Sequence, residues 1–258
     1  MKLSQVAAQL YSVREFLKTP ADIKKSLVKV GKIGYQAVQL SGLGPIDDGE
    51  LKRILDGEGL VCCATHESSD VLLKEPQKAI DHLQAIGCTS TAYPYPREIA
   101  MRNLREVKAF ASALEKTGKK LRSAGIDFSY HNHDIEFVRI GGKTILDILI
   151  DSTSPQNLKF EVDTYWVQAG GANPVELCKR LKRRMPLLHL KDYGVTLDRK
   201  PVFEEIGYGN LELFEIIKAA DAAKTEWYII EQDAHFEGGD PFKSLKMSFD
   251  YIKRNLAK

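Results

Sequence analysis

Apolar residues recur along the chain in two alternating spacings. In short runs such as 35–40, 60–66, 88–93, 158–163, 186–191 and 227–231, at least half of the positions are apolar. Between them lie longer stretches with apolar residues every three or four positions. The first spacing fits a strand buried on both faces, the second an amphipathic helix. Residues 6–13 read as the first strand. A helix then starts at Pro20-Ala21-Asp22, carries Ile23, Leu27, Val30 and Ile33 on one face, and stops at Gly34. The strand with the most polar end spans 125–134. Further helices are expected over 48–56, 75–86, 103–124, 143–150, 174–183, 211–223 and 241–256, several closed by glycine, with Pro174 just inside its helix start.

The result is eight strand–helix units. Apolar strands alternating with amphipathic helices imply a parallel sheet covered on its outer face. Eight units in 258 residues match an α/β fold of one kind, a single (β/α)8 TIM barrel over residues 1–258. An open doubly wound sheet is the alternative. Against it, the first strand–helix turn reads Leu10-Tyr11-Ser12-Val13-Arg14 and lacks the glycine-rich fingerprint of a dinucleotide fold.

Composition narrows the function. With 43% hydrophobic residues the chain can bury a full core, and a net charge of +2 without long basic runs argues against nucleic acid. No apolar run is long enough to span a membrane. The opening Met1-Lys2-Leu3-Ser4-Gln5-Val6 lacks the apolar stretch of a signal peptide, so a cytoplasmic location is expected. Cys62, Cys63, Cys88 and Cys178 form no CxxC pair and read as buried, reduced thiols.

The chemistry collects where the strands end. Tyr130-His131-Asn132-His133-Asp134 puts His131 and His133 on one face of an extended chain, because side chains alternate. By the same rule Glu161 shares a face with Asp163, His189 with Lys191, and Glu231 with Asp233. Of six histidines, His66, His131, His133, His189 and His235 fall at or just past strand ends, and His82 lies within a helix. Barrels carry function at that rim. His131, Asp163, His189 and Glu231 supply one ligand from each of four successive strands. Such N/O ligation without thiolate suits Mn²⁺, Co²⁺, Mg²⁺, Zn²⁺ or Fe²⁺; a buried ion-pair network is the plainer alternative. Two open positions on the ion would accept a hydroxy-ketone and acidify its adjacent C–H.

The neighbours of this set have expected roles. His133, with a pKa near neutral, would serve as base, and Glu231 as a second base. Lys191 would stabilise a developing oxyanion or pair with Glu161. Trp166 would form an apolar wall for a sugar face. His66, Gln9, Tyr11 and Glu161 would meet substrate hydroxyls. Gly207-Tyr208-Gly209-Asn210 reads as a turn. The loop Phe236-Glu237-Gly238-Gly239-Asp240-Pro241 carries negative charge where a phosphate would sit, which favours an unphosphorylated sugar or polyol.

Seven motifs together resemble the xylose isomerase-like barrel superfamily, often labelled sugar phosphate isomerase/epimerase. They are QLYSVR at 9–14, THES at 65–68, YHNHD at 130–134, EVDTYW at 161–166, HLKDYG at 189–194, GYGN at 207–210 and IIEQD at 229–233. The resemblance covers nearly the whole chain. It implies a divalent metal held at the ends of strands five to eight, which carries over to Asp163, His189 and Glu231. It also implies a small sugar or polyol substrate, with a homo-oligomer possible through the outer helices. One departure stands out. Epimerases and isomerases of this group usually place a glutamate at the strand-five position, where His131 stands here, so the two-glutamate proton relay is broken. A metal-dependent isomerase or epimerase is the first expectation. A lyase, either an inosose-type dehydratase or a 3-keto-glycoside eliminase, stands nearly level with it. The low net charge argues against the repair nucleases of the wider superfamily, and four competent ligands argue against a binding protein without turnover.

Overall fold

The apolar runs assemble side by side in the computed structural model, which describes residues 1–97 and 99–258. The strands are β1 (Val6–Gln9), β2 (Ala37–Leu40), β3 (Val61–His66), β4 (Ser90–Tyr93), β5 (Asp127–His131), β6 (Lys159–Asp163), β7 (Leu187–Leu190) and β8 (Trp227–Ile230). They close in the order β1-β8-β7-β6-β5-β4-β3-β2, and every pairing around the ring is parallel. This is a (β/α)8 barrel.

Alternation within the strands divides the apolar residues into two bodies. Outward positions such as Val38, Phe128, Tyr130, Phe160, Val162, Leu188, Leu190, Tyr228 and Ile230 join the helices in one large core. Inward positions form a small separate cluster of Ala7, Ala37, Cys63, Ala64, Leu187 and Ile229, with Trp227 against it. The small cluster fills the N-terminal end of the barrel. Above it the inward positions turn polar, at Gln9, Gln39, Glu161, His189 and His131, all buried.

Helix boundaries follow local chemistry. Thr19 caps the helix Pro20–Ile33 by accepting from Asp22 N, and proline fits its first turn. Asn103 caps Leu104–Ser123 in the same way. Elsewhere the structure departs from the sequence pattern. Residues 6–13 do not form one strand: β1 stops at Gln9, and Leu10–Phe16 winds into a 3₁₀ segment. β5 ends at His131, so His133 lies in the loop beyond it. Two antiparallel hairpins were not expected, Arg139–Ile140 with Lys143–Thr144 and Asp192–Val195 with Pro201–Glu204. The first turns on Gly141-Gly142, both at positive φ, as a tight two-residue hairpin needs. All four cysteines are free thiols, and Cys62 is only partly buried. No described helix is long and apolar enough to cross a membrane.

Two glycines in long helices give opposite expectations. A Cβ at Gly31 would meet nothing within 4 Å, so Gly31→Ala should stabilise by about 0.5–1 kcal/mol through lower backbone entropy in the unfolded chain. A Cβ at Gly118 would overlap the carbonyl of Asn157. Gly118→Ala should therefore destabilise by about 2 kcal/mol despite its better helix propensity. Denaturant melts of the two variants give the signs, and equal signs would refute the close packing of helix Leu104–Ser123 on the 154–157 turn.

Candidate active site

Strand register brings the polar strand ends together. His131 pairs laterally with Glu161, and Asp163 with His189, which is itself level with Ile229 of β8. Each end is then held by a neighbour. Asn132 Oδ1 accepts from Asp163 N at 3.0 Å, tying the end of β5 to the end of β6. Thr164 accepts from Lys191 N at 2.9 Å and donates to Lys191 O at 2.6 Å, tying β6 to β7. A short helix, Thr164–Ala169, starts directly at Asp163, whose Oδ1 caps it by accepting from Trp166 N at 3.0 Å. That leaves Oδ2 turned into the barrel.

Oδ2 of Asp163 is buried with no hydrogen-bond partner, as is Nδ1 of His131. Around Oδ2 stand His131 Nε2 at 3.8 Å, His189 Nδ1 at 3.9 Å and Lys191 Nζ at 2.9 Å, the last without hydrogen-bond alignment. Glu231 Oε2 lies 2.7 Å from both His189 Nδ1 and Lys191 Nζ. One donor atom from each of His131, Asp163, His189 and Glu231 falls within 4.8 Å of all the others. Donors around an ion at roughly 2.0–2.2 Å from each are spaced about 3–4 Å apart, so the set fits a divalent cation. The charge fits as well. Glu161, Asp163, Glu231 and Asp233 face inward together against Lys191 and one charged histidine.

The protonation states follow from the surroundings. Burial alone would drive the His189 proton off, but Glu161 and Glu231 hold its pKa up at about 10. Burial would raise Glu161, yet His189 and His66 keep it well below the usual range. Burial likewise opposes the charge of Lys191, and Asp163, Asp233 and Glu231 outweigh it, so its pKa stays well above normal. Burial, with the charge of His189, pushes His131 down to about 4. It pushes His133 to about 2, well below the near-neutral value of a free imidazole. Asp233 rises to about 6, because burial exceeds the pull of Lys191.

Above these groups opens a cavity of about 690 Å³, with His66, His131, His133, Lys191, Glu231 and Asp233 among its lining residues. Trp166 and Phe203 form an aromatic side, with ring centroids 5.7 Å apart, and Tyr95 meets His133 edge-on at 4.9 Å. Tyr11 reaches the mouth from the 3₁₀ segment. Gln9 does not line the cavity. It lies beneath, its Nε2 donating to Gln39 Oε1 at 2.8 Å. Glu161 is also beneath, and it pairs with His66, His131 and His189 instead of Lys191. His235 stays exposed on its loop. Gly207-Tyr208-Gly209-Asn210 is more than a turn: Asp192 accepts from the backbone N–H groups of Gly207, Gly209 and Leu211.

Sequence reasoning missed Gln39, Asn132, Thr164 and Phe203. Gln39 carried a readable signal as the one polar residue of Ala37-Val38-Gln39-Leu40. Phe203 did not, because an unforeseen hairpin brings it in.

Lys191 competes with any cation for Asp163 and Glu231. Lys191→Met should lower the stability of the metal-free protein by about 3–5 kcal/mol, since it strands buried carboxylates. It should also tighten Mn²⁺ or Zn²⁺ binding. Calorimetric titration beside thermal melts reads both, and unchanged affinity would mean that the ammonium and the ion do not share these ligands.

The family described as xylose isomerase-like TIM barrel matches residues 27–254. An inosose dehydratase of Mesomycoplasma hyopneumoniae is 22% identical, over 89% of this chain and 87% of that protein. A sugar phosphate isomerase/epimerase of Parabacteroides distasonis superposes with a TM-score of 0.84 at 22% identity, covering 97% of this chain and 98% of that one. An L-ribulose 3-epimerase superposes at 0.75 with 14% identity, covering 99% and 95%.

Proposed function

The chain belongs to the xylose isomerase-like TIM barrel family, and from that premise we propose that it is a divalent-metal-dependent enzyme that removes a proton next to the carbonyl of a sugar or polyol ketone and completes the reaction by elimination. The observation that carries this reading is the convergence of His131, Asp163, His189 and Glu231, of which His131 and Glu231 line the cavity and Asp163 and His189 lie buried beneath it. A bound ion would supply Lewis-acid polarisation of the carbonyl and so acidify the neighbouring C–H.

The residues above the floor divide the remaining work unequally. Glu231 and Asp233 both lie on the β8 side, each within 2.9 Å of Lys191 Nζ. Proton abstraction falls to this side. Asp233 at about 6 is matched to work near neutral pH. Lys191, held protonated, is a proton donor for a departing oxygen and a counter-charge for the developing oxyanion. On the opposite wall His133, at about 2, is a weak base and serves as a hydrogen-bonding group for a hydroxyl. Epimerisation needs effective bases on two faces of one carbon. Elimination needs one base and one acid, which Asp233 and Lys191 together offer on the β8 side. Trp166 and Phe203 give an apolar face suited to a ring substrate, such as an inosose or a 3-keto-glycoside. The inosose dehydratase relative supports the same outcome. The isomerase or epimerase reading remains the second one, supported by the epimerase among the structural neighbours.

Elemental analysis should find about one divalent ion per chain, and His131→Ala or Glu231→Ala should lose it while staying folded. Proton NMR in D₂O with ketoses, inososes and 3-keto-glucosides should show C–H exchange with loss of water or aglycone. Exchange with a product of unchanged mass would move the assignment to isomerase or epimerase. Absence of both metal and exchange would reduce the strand-end cluster to a structural ion-pair network.

A further inference from the structure

Beneath the proposed ligands runs a hydrogen-bonded chain that neither the cavity nor the ligand set uses. Gln9 Nε2 donates to Gln39 Oε1 at 2.8 Å, and Gln39 Nε2 donates to Glu161 Oε2 at 2.7 Å. The other oxygen of Glu161 faces histidines, with His66 Nε2 at 2.5 Å, His189 Nε2 at 3.0 Å and His131 Nδ1 at 3.1 Å, the last off the line of a hydrogen bond. Every member is buried except His66, which reaches the cavity. The chain crosses the barrel from β1 through β2 to β6.

From this geometry we infer that Glu161 is a positioning residue: directly, and for His189 also through Gln39, it dictates which ring nitrogen of the neighbouring histidines carries the proton, and hence which nitrogen is offered to an ion. The proposal rests on the metal-site reading above and specifies how that site is built. Its logic is donor–acceptor complementarity. A charged carboxylate only accepts, so the Gln39 amide must turn Nε2 toward Glu161 and Oε1 the other way. His189 Nε2 lies 2.6 Å from that Oε1 and 3.0 Å from Glu161 Oε1. Between two acceptors it must be N–H. Once His189 gives up its second proton to an ion, the lone pair therefore falls on Nδ1, the nitrogen that faces Glu231 and Asp163. His66 is fixed as Nε2–H by the same carboxylate. For His131 the negative oxygen favours the proton on Nδ1, which leaves Nε2 toward Asp163. The two proposed histidine ligands would therefore bind through unlike nitrogens, His189 through Nδ1 and His131 through Nε2. A carboxylate behind a ligating imidazole both orients it and makes it a better donor.

Nitrogen-15 NMR of histidine-labelled protein, with Zn²⁺ as a diamagnetic probe, tests this. Zinc-loaded wild type should show Nε2–H on His189 and Nδ1–H on His131. Glu161→Gln keeps the shape but inserts a donor where an acceptor is needed. It should change the tautomer pattern and weaken zinc binding by about 10–100-fold, measured against a chelator. Gln39→Met, which leaves the carboxylate in place, should weaken it less, and it carries the test if Glu161→Gln does not fold. Nδ1–H on zinc-loaded His189 would overturn the inference. So would a folded Glu161→Gln, or failing that Gln39→Met, with wild-type tautomers and wild-type zinc affinity. If wild type takes up no zinc, the metal reading falls by itself. The metal-free spectrum then decides the positioning role: Nε2–H on His66 that is lost in Glu161→Gln upholds it, as does, where that variant does not fold, Nε2–H on wild-type His66 that Gln39→Met keeps, and Nδ1–H on wild-type His66 overturns it.

Discussion

Negative charge that water cannot reach has to be balanced from within the protein, and the polar half of this barrel is arranged around that need. Glu161, Asp163, Glu231 and Asp233 project inward from two strands and their extensions. A buried carboxylate without partners would take up a proton or open the fold. Lys191 answers three of them at 2.7–2.9 Å, and His189 bridges Glu161 and Glu231. The compensation is incomplete. Oδ2 of Asp163 has the Lys191 ammonium at 2.9 Å but no aligned hydrogen bond, and with the three N/O donors around it, from His131, His189 and Glu231, it marks where a further positive charge would be held.

The rest of the fold serves this arrangement. The helices and the outward strand positions form one large core that closes the barrel. The inward apolar cluster is small and sits at the opposite end. Stability and chemistry are thereby kept apart, as barrels with sites on their C-terminal loops allow. The seam between them is the layer of Gln9, Gln39 and Glu161, where polar groups are buried but satisfied by one another.

The sequence was most readable where a single physical rule acted alone. Period-two alternation placed Glu161 with Asp163 and His189 with Lys191 on the barrel interior, and glycine and proline marked most helix ends. It was least readable where a chain leaves its strand. Alternation assumes extended backbone, so Tyr11 and His133, just past β1 and β5, could not be placed by it. Phe203 reached the cavity on a hairpin whose strands are only four residues each. Composition also could not anticipate the His133 pKa, because it follows from burial and from the charges of His131 and of Lys191, which the fold brings near. Gln39 was legible and was passed over, since one amide in an apolar strand looks like an exception until its partners are known.

Lys191 and Asp192 are consecutive, and they face different tasks. The ammonium of the first is inside the carboxylate cluster. The carboxylate of the second gathers the N–H groups of Gly207, Gly209 and Leu211 and so shapes an outer loop. One peptide unit thus joins the charge state of the interior to the solvent protection of a surface segment. A change in how Lys191 is held would be felt at Asp192 and would alter the rate at which those three amides trade hydrogen with water. The GYGN loop is in that sense a gauge on the outside of the barrel for events that take place within it.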